Sequence, residues 1–223
     1  MKKIIEVAVL SAFIICAFLS VSAQNREIAK SEYAAVEKNA NAQLKGKSYR
    51  VKMISEIYRD PRSSKPSWTS ATTSEYASEN YRSVSENRTE KGVERREMIG
   101  FGGRRFTKTN DEPWKELAAN EGVGGGSGAL VSDPIETEKK IEYKYLGKQS
   151  VENQSVDLYE SREKLEIKIG NSATKVVLTE RLWIKDGLFL KTEMQSENDG
   201  RIVSRYVREY EYDPNIKIEP PLK

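Results

Sequence analysis

The spacing of apolar residues along this chain changes period once, near Ser48. Upstream, Ala29, Tyr33, Val36, Ala40 and Leu44 recur at steps of four and three, with Ile28 widening the stripe. That spacing predicts one helix over 25–44, with a shallow, Ala-rich apolar face and Gly46 at its end. Downstream the period is two. Tyr49, Val51, Met53 and Ile57 share one face of a strand whose other face carries Arg50, Lys52 and Glu56. Residues 67–77 and 80–88 read as polar strands in which Trp68, Tyr76, Tyr81 and Val84 are the sizeable apolar groups. Val93 to Phe101 and Arg104 to Lys108 read as a hairpin turning at Gly102-Gly103, and Asp111-Glu112-Pro113 as a turn that delivers Trp114.

The alternation is clearest in the second half. Ile141, Tyr143 and Tyr145 alternate with charged residues, as do Val156 and Leu158, then Leu165, Ile167 and Ile169. Val176, Leu178, Leu182 and Ile184 share a face with Trp183 opposite. Asp186-Gly187 joins that strand to Leu188, Leu190, Thr192 and Met194. A second turn at 197–200 leads to Ile202, Ser204, Tyr206, Tyr210 and Tyr212, with Ile216 and Ile218 expected to close the last strand before Pro220-Pro221. Six or so short strands with tight turns at regular spacing make an antiparallel meander.

One apolar and one charged face per strand describe a single sheet with water on one side. A helix of about 20 residues spans roughly 30 Å. That is too little to fill the covered side of so much sheet. The expected class is therefore mainly β (α+β): a curved antiparallel half-barrel wrapped around the N-terminal helix, with a hydrophobic hollow. Its lining is expected from Val51, Met53, Trp68, Met98, Phe101, Tyr143, Tyr145, Leu158, Leu182 and Leu190, on the faces opposite the charges.

Composition narrows the chemistry. The 223 residues contain no His, and the single Cys, Cys16, lies in the N-terminal apolar run. A Ser-His-Asp or Cys-His hydrolase and a thiolate or imidazole metal site have no residues to be built from. No enzyme, cofactor or metal is expected. A net charge of +3 with interleaved signs gives no basic excess for nucleic acid. Residues 1–23 combine Met1-Lys2-Lys3, an apolar Val7–Leu19 stretch and Val21-Ser22-Ala23, the pattern of a signal peptide cut before Gln24. A periplasmic or secreted product is expected, a single domain over 24–223 and a monomer. Five glycines in Gly122–Gly128 lack the preceding strand and following Lys of a phosphate loop, so about 118–137 reads as a flexible loop.

Three segments resemble a known family in order and spacing. Ile141-Glu-Tyr-Lys-Tyr-Leu-Gly147 with Val151 to Tyr159 is similar to the "Y-x-G-x-x-x-V-x-G-x-x-V-x-x-Y" hairpin of the LolA/LppX/LprG-like lipoprotein-carrier superfamily, with Asn153 at a frequent Gly position. Leu182 to Lys191 resembles its "W-I-D-x-x-x-x-L-P-x-R/K" hairpin without the Pro. Tyr210 to Pro221 resembles its closing "Y-x-Y-x-x-x-I-x-I-x-x-P". The resemblance covers 141–221; the first half agrees in character only. It implies a half-barrel enclosing an acyl-chain cavity and a carrier of lipids or lipoproteins, served by a membrane-bound donor or acceptor protein. The alternative is a protein-interaction or envelope-stress sensing module of the same fold. An outer-membrane barrel fits poorly, because these strands keep one charged face.

Overall fold

The computed structural model describes residues 25–60, 63–89, 92–118, 137–169 and 172–221. The expected leader, its cleavage site and nearly all of the glycine-rich stretch lie outside the described residues. The chain runs β1 (Arg26–Glu27), α1 (Lys30–Leu44), β2 (Tyr49–Ile57), β3 (Trp68–Ala77), β4 (Asn80–Thr89), β5 (Gly92–Phe101), β6 (Arg104–Thr109) and β7 (Lys115–Leu117). It continues through β8 (Thr137–Val151), β9 (Gln154–Ile169), β10 (Ser172–Lys185), β11 (Leu188–Asn198) and β12 (Arg201–Tyr212). All twelve strands form one antiparallel sheet in the order β1-β8-β9-β10-β11-β12-β2-β3-β4-β5-β6-β7. The sheet is mainly β and not closed: β1 and β7 are its edges.

This order follows from two meanders laid side by side. Sequential hairpins build β2 to β7 and β8 to β12, and the last strand then pairs with β2, in register from Tyr212↔Tyr49 to Ser204↔Ile57. Hairpin tips take the left-handed backbone that two-residue turns need. Asp186 and Gly187 have φ of 51° and 77°, and Asp199 and Gly200 have 49° and 77°. Gly187 has a second reason to lack a side chain, since an added Cβ would stand 2.6 Å from Gln43 Nε2 of α1.

Three expectations change. The helix begins at Lys30 instead of residue 25, because Arg26 and Glu27 pair with Tyr145 and Lys144 and the Ile28 amide donates to the Tyr143 carbonyl at 3.0 Å. Pairing on the β8 edge wins over helix propensity there. The second half has five strands of 11 to 16 residues, longer than the short strands expected. Ile216 and Ile218 are not in a strand: β12 stops at Tyr212, and Pro214 has no amide to continue the ladder, although Ile218 is buried. Among the described residues no helix is long and apolar enough to cross a membrane.

Candidate functional site

Cross-strand partners point to the same face of a sheet, so the register assigns every side chain to the face that carries α1 or to the opposite one. One row of the helix face reads Tyr159, Leu182, Thr192, Arg208, Met53, Thr72, Ser85 and Arg96. The adjacent row on the side of the β2–β3 loop reads Glu180, Met194, Tyr206, Ser55, Ser70 and Asn87.

α1 covers part of this face. Tyr33 and Ala40 bury themselves against Leu182, Ile184 and Phe189, with Ile28, Val36, Leu44, Tyr143, Tyr159 and Tyr210 packed around them. Leu182 is 1% exposed and Tyr33 4%. The expected hollow is therefore filled at this point. Leu182 belongs to a packed core, because residues of α1 occupy the space above it.

Of the ten residues expected to line a cavity, the register places Val51, Met53, Trp68, Met98, Tyr143, Tyr145 and Leu182 on the helix face. Phe101, Leu158 and Leu190 are corrected to the opposite face. Met98 and Phe101 differ in parity on one uninterrupted strand, so they cannot share a face. Leu158 fails for the same reason. β9 is a single strand through Ile169, so Tyr159 and Leu165 face α1 while Val156 and Leu158 face away. Leu190 sits at a bulge, where Ile184 pairs Phe189 but Trp183 pairs Lys191, so Phe189 turns inward and Leu190 outward. These residues make a second small core: Val156, Leu158 and Trp183 with Leu146, Val151 and Leu190 around them. Lys191 Nζ lies 5.1 Å from the Trp183 ring centre.

Beyond α1 no other helix covers this face among the described residues, and its character divides. Over β3 to β6 it is hydroxyl-rich. Thr72 and Ser85 hydrogen-bond at 2.9 Å, Ser74 donates to Ser83 at 3.2 Å, and Arg96 Nε donates to Thr107 Oγ1 at 3.4 Å. A band of rings crosses the same face: Phe189–Tyr210 at 5.5 Å, Tyr210–Tyr49 at 6.4 Å, Tyr49–Tyr76 stacked at 4.7 Å and Tyr76–Tyr81 at 6.4 Å. It ends with the Tyr81 ring lying against Gly100, where an added Cβ would fall 2.2 Å from Tyr81 Cε1. Where β10 to β12 meet β2, the bare surface is more apolar. Met194 and Tyr206 are cross-strand partners, 49% and 36% exposed, with half-buried Leu178, Met53, Ile57 and Trp68 on the same face.

Two charged residues interrupt this surface. Tyr33 Oη donates to Glu180 Oε2 at 2.9 Å and so ties α1 to β10. Burial, first, raises the Glu180 carboxyl above its ordinary range, and the Tyr33 bond opposes that rise. Burial likewise pushes the Tyr33 phenol up, helped by the Glu180 charge. Arg208 stands exposed beside them on β12. Glu180, Thr192, Met194, Tyr206 and Arg208, with Glu193 in the rim, surround a recess of about 210 Å³. Sequence reasoning passed over this group. Its signal was present as gaps: Glu180 is the missing member of Val176, Leu178, Leu182, Ile184, and Arg208 of Tyr206, Tyr210, Tyr212.

At the rim, Tyr145 Oη donates to Asp157 Oδ1 at 2.7 Å, and burial followed by this bond pushes the phenol up to about 12. The opposite face is a lattice of ion pairs. Arg50 bridges Glu75 at 2.8 Å and Glu211 at 3.1 Å, Arg181 meets Glu160 at 2.9 Å and Arg205 meets Glu193 at 3.2 Å. Among the described residues no group of His, Cys, Asp and Glu is arranged to hold a metal ion. Compared with known proteins, the chain matches no family model and no curated protein.

Proposed function

We propose that the protein is an exported carrier that takes the acyl chain of a lipid or lipoprotein onto the helix face of a curled half-barrel, in the apolar strip left bare beside α1. The observation that carries this reading is the Met194–Tyr206 pair, two large apolar side chains exposed on the face where the core also sits. With Leu178, Met53, Ile57 and Trp68 they line a path across β10, β11, β12, β2 and β3. Each buried CH₂ is worth about 0.8 kcal/mol, so a path of this kind binds a chain without any polar constellation. That suits a protein without His, whose one Cys lies in the N-terminal apolar run. The sequence likeness to the lipoprotein-carrier superfamily over 141–221 points the same way.

Native mass spectrometry of protein purified from its own host, with titration of a fluorescent fatty acid, tests the proposal. A co-purified lipid and saturable probe uptake are expected. Met194→Glu should abolish uptake while leaving the fold intact, since the residue is exposed. No lipid and no uptake would sink the carrier reading in favour of an interaction module of the same architecture.

A further inference from the structure

The apolar strip contains a guanidinium that makes no hydrogen bond or ion pair among the described residues, although its charge favours the ionised form of the neighbouring Glu180 carboxyl. Arg208 lies on the helix face between Thr192 of β11 and Met53 of β2, so neither neighbour can neutralise it. Three other arginines on this face have partners. Arg26 pairs with Glu32 at 2.5 Å, Arg96 donates to Thr107, and Arg105 donates to the Ala118 carbonyl at 3.3 Å. Arg208 has no hydrogen bond or ion pair among the described residues. The two acids that border the recess with it are bonded elsewhere. Glu180 accepts the Tyr33 hydroxyl, and Glu193, although it borders the recess, points its carboxylate at Arg205 on the opposite face.

We propose that Arg208 receives the anionic headgroup, a carboxylate or a phosphate, of a single-chain amphiphile whose chain lies over Tyr206, Met194 and Met53. This rests on the acyl-chain reading and adds the class of headgroup. A planar guanidinium offers two parallel donors to such an oxyanion, and its charge gains most beside low-dielectric apolar walls. Size fits the division of labour. The recess of about 210 Å³ holds a headgroup and the first few methylenes, given that a water takes roughly 30 Å³ of liquid. A longer chain must leave it, and the exits are the flanking side chains Met53, Ile57 and Trp68. Glu180 limits the site to one anion. Its carboxylate stays on the helix side while Tyr33 holds it, and if released it would compete for Arg208.

Three probes of equal chain length separate the possibilities on the intact mature protein: a fatty acid, the alkyl phosphate and the fatty alcohol. The wild type should bind one or both anionic probes about tenfold more tightly than the alcohol, as one charge-assisted bond predicts, and added salt should shrink that gap. The stronger of the two anions names the headgroup. Arg208→Gln should bring the anionic probes down to the alcohol's affinity and leave the alcohol unchanged, with Arg208→Lys in between. Equal binding of acid, phosphate and alcohol by the wild type would overturn the proposal, as would an Arg208→Gln variant that loses all three alike. Competition by inorganic phosphate as strong as that of the alkyl phosphate would overturn it in favour of a free anion. Binding of the alcohol alone would leave the carrier reading standing and remove the headgroup. Binding of none of the three would remove both.

Discussion

The two meanders solve the same problem in different ways. Strands β8 to β12 are long and carry α1, and on their helix face Leu182, Ile184 and Phe189 are almost wholly buried. Strands β2 to β6 have no helix above them among the described residues; on their helix face β3 and β4 carry Ser, Thr and Asn at alternate positions, β2 carries Val51, Met53 and Ile57, and a band of tyrosine rings crosses them. The covered half is stabilised by removing apolar surface from water. The bare half is held by backbone ladders, cross-strand hydroxyl pairs and ring contacts, each a modest term. The difference bears on the proposed acyl-chain site, which lies at the boundary, where apolar residues of the covered half run past the edge of the helix. In that proposal deep burial leaves no room in the covered half, and the hydroxyls of β3 and β4 suit a hydrocarbon poorly.

The sharpest test of this contrast is a pair of truncations. Leu182→Ala, beneath α1, should lower stability by about 2–5 kcal/mol, as large-to-small changes in packed cores do. Met53→Ala, three strands along the same row of partners in the bare region, should cost under about half of that, since its surroundings are open. Denaturant midpoints for the two variants measure the gap, and equal losses would mean that both halves share one core. Next in size is Gly100→Ala. Its Cβ would strike the Tyr81 ring, and displacing that ring should cost about 1–3 kcal/mol, the range for overpacking. Tyr81→Ala should make Gly100→Ala nearly neutral in the double variant, which a cycle of midpoints reads directly.

How far the sequence foretold this arrangement follows from parity. The meander, its turns and the helix were legible because each depends on local period and turn chemistry. Asp186-Gly187 and Asp199-Gly200 are turns for reasons contained in two residues. The inner face was legible only while parity held. On β9 the apolar set passes from Val156 and Leu158 to Leu165 and Ile167 within one strand, so a side assigned from either cluster is wrong for the other. At the β10–β11 hairpin, a bulge of one residue exchanged the roles of Phe189 and Leu190. No periodicity shows that a helix will seat Tyr33 and Ala40 over Leu182, because that contact joins residues far apart in sequence. Glu180 and Arg208 were visible only as polar intruders in apolar series, and their meaning required knowing that β10, β11 and β12 are neighbours.

The Tyr33–Glu180 bond asks how α1 holds the covered half. Tyr33→Phe leaves the ring in the core but removes the donor to a half-buried carboxylate, a loss of about 1–2 kcal/mol at neutral pH. The sign of its pH dependence is fixed. Burial raises the folded-state pKa of Glu180 above that of the unfolded chain, so the native state binds the proton more tightly. The stabilisation from that proton is complete below the unfolded value, roughly 4.3, and is lost as pH rises through the folded one. The Tyr33 hydroxyl moderates the loss by favouring the charged carboxylate. Tyr33→Phe should therefore cost more at pH 7.5 than at pH 4, measured as the difference in denaturant midpoints from wild type at each pH. A penalty that grows towards pH 4 would show that the hydroxyl serves another partner.

The smallest effect concerns the seam where the halves meet. Arg50 on β2 reaches Glu75 on β3 and Glu211 on β12, so one guanidinium spans both meanders on the face away from α1. Its partners are unequal: Glu75 is 23% exposed and Glu211 54%. Pairs this open to water contribute about 0–1 kcal/mol, and most of Arg50's share should come from the fork on Glu75, through Nε at 3.0 Å and Nη2 at 2.8 Å. Arg50→Gln should lower the midpoint slightly, Glu75→Gln by nearly as much and Glu211→Gln hardly at all, with all three differences shrinking in 1 M salt, where the Debye length is about 3 Å. The backbone register from Tyr212↔Tyr49 to Ser204↔Ile57 joins the halves with or without that ion pair. If Arg50→Gln instead uncoupled the halves, so that two denaturation transitions replaced one, side-chain charge would be what makes a single sheet of two meanders.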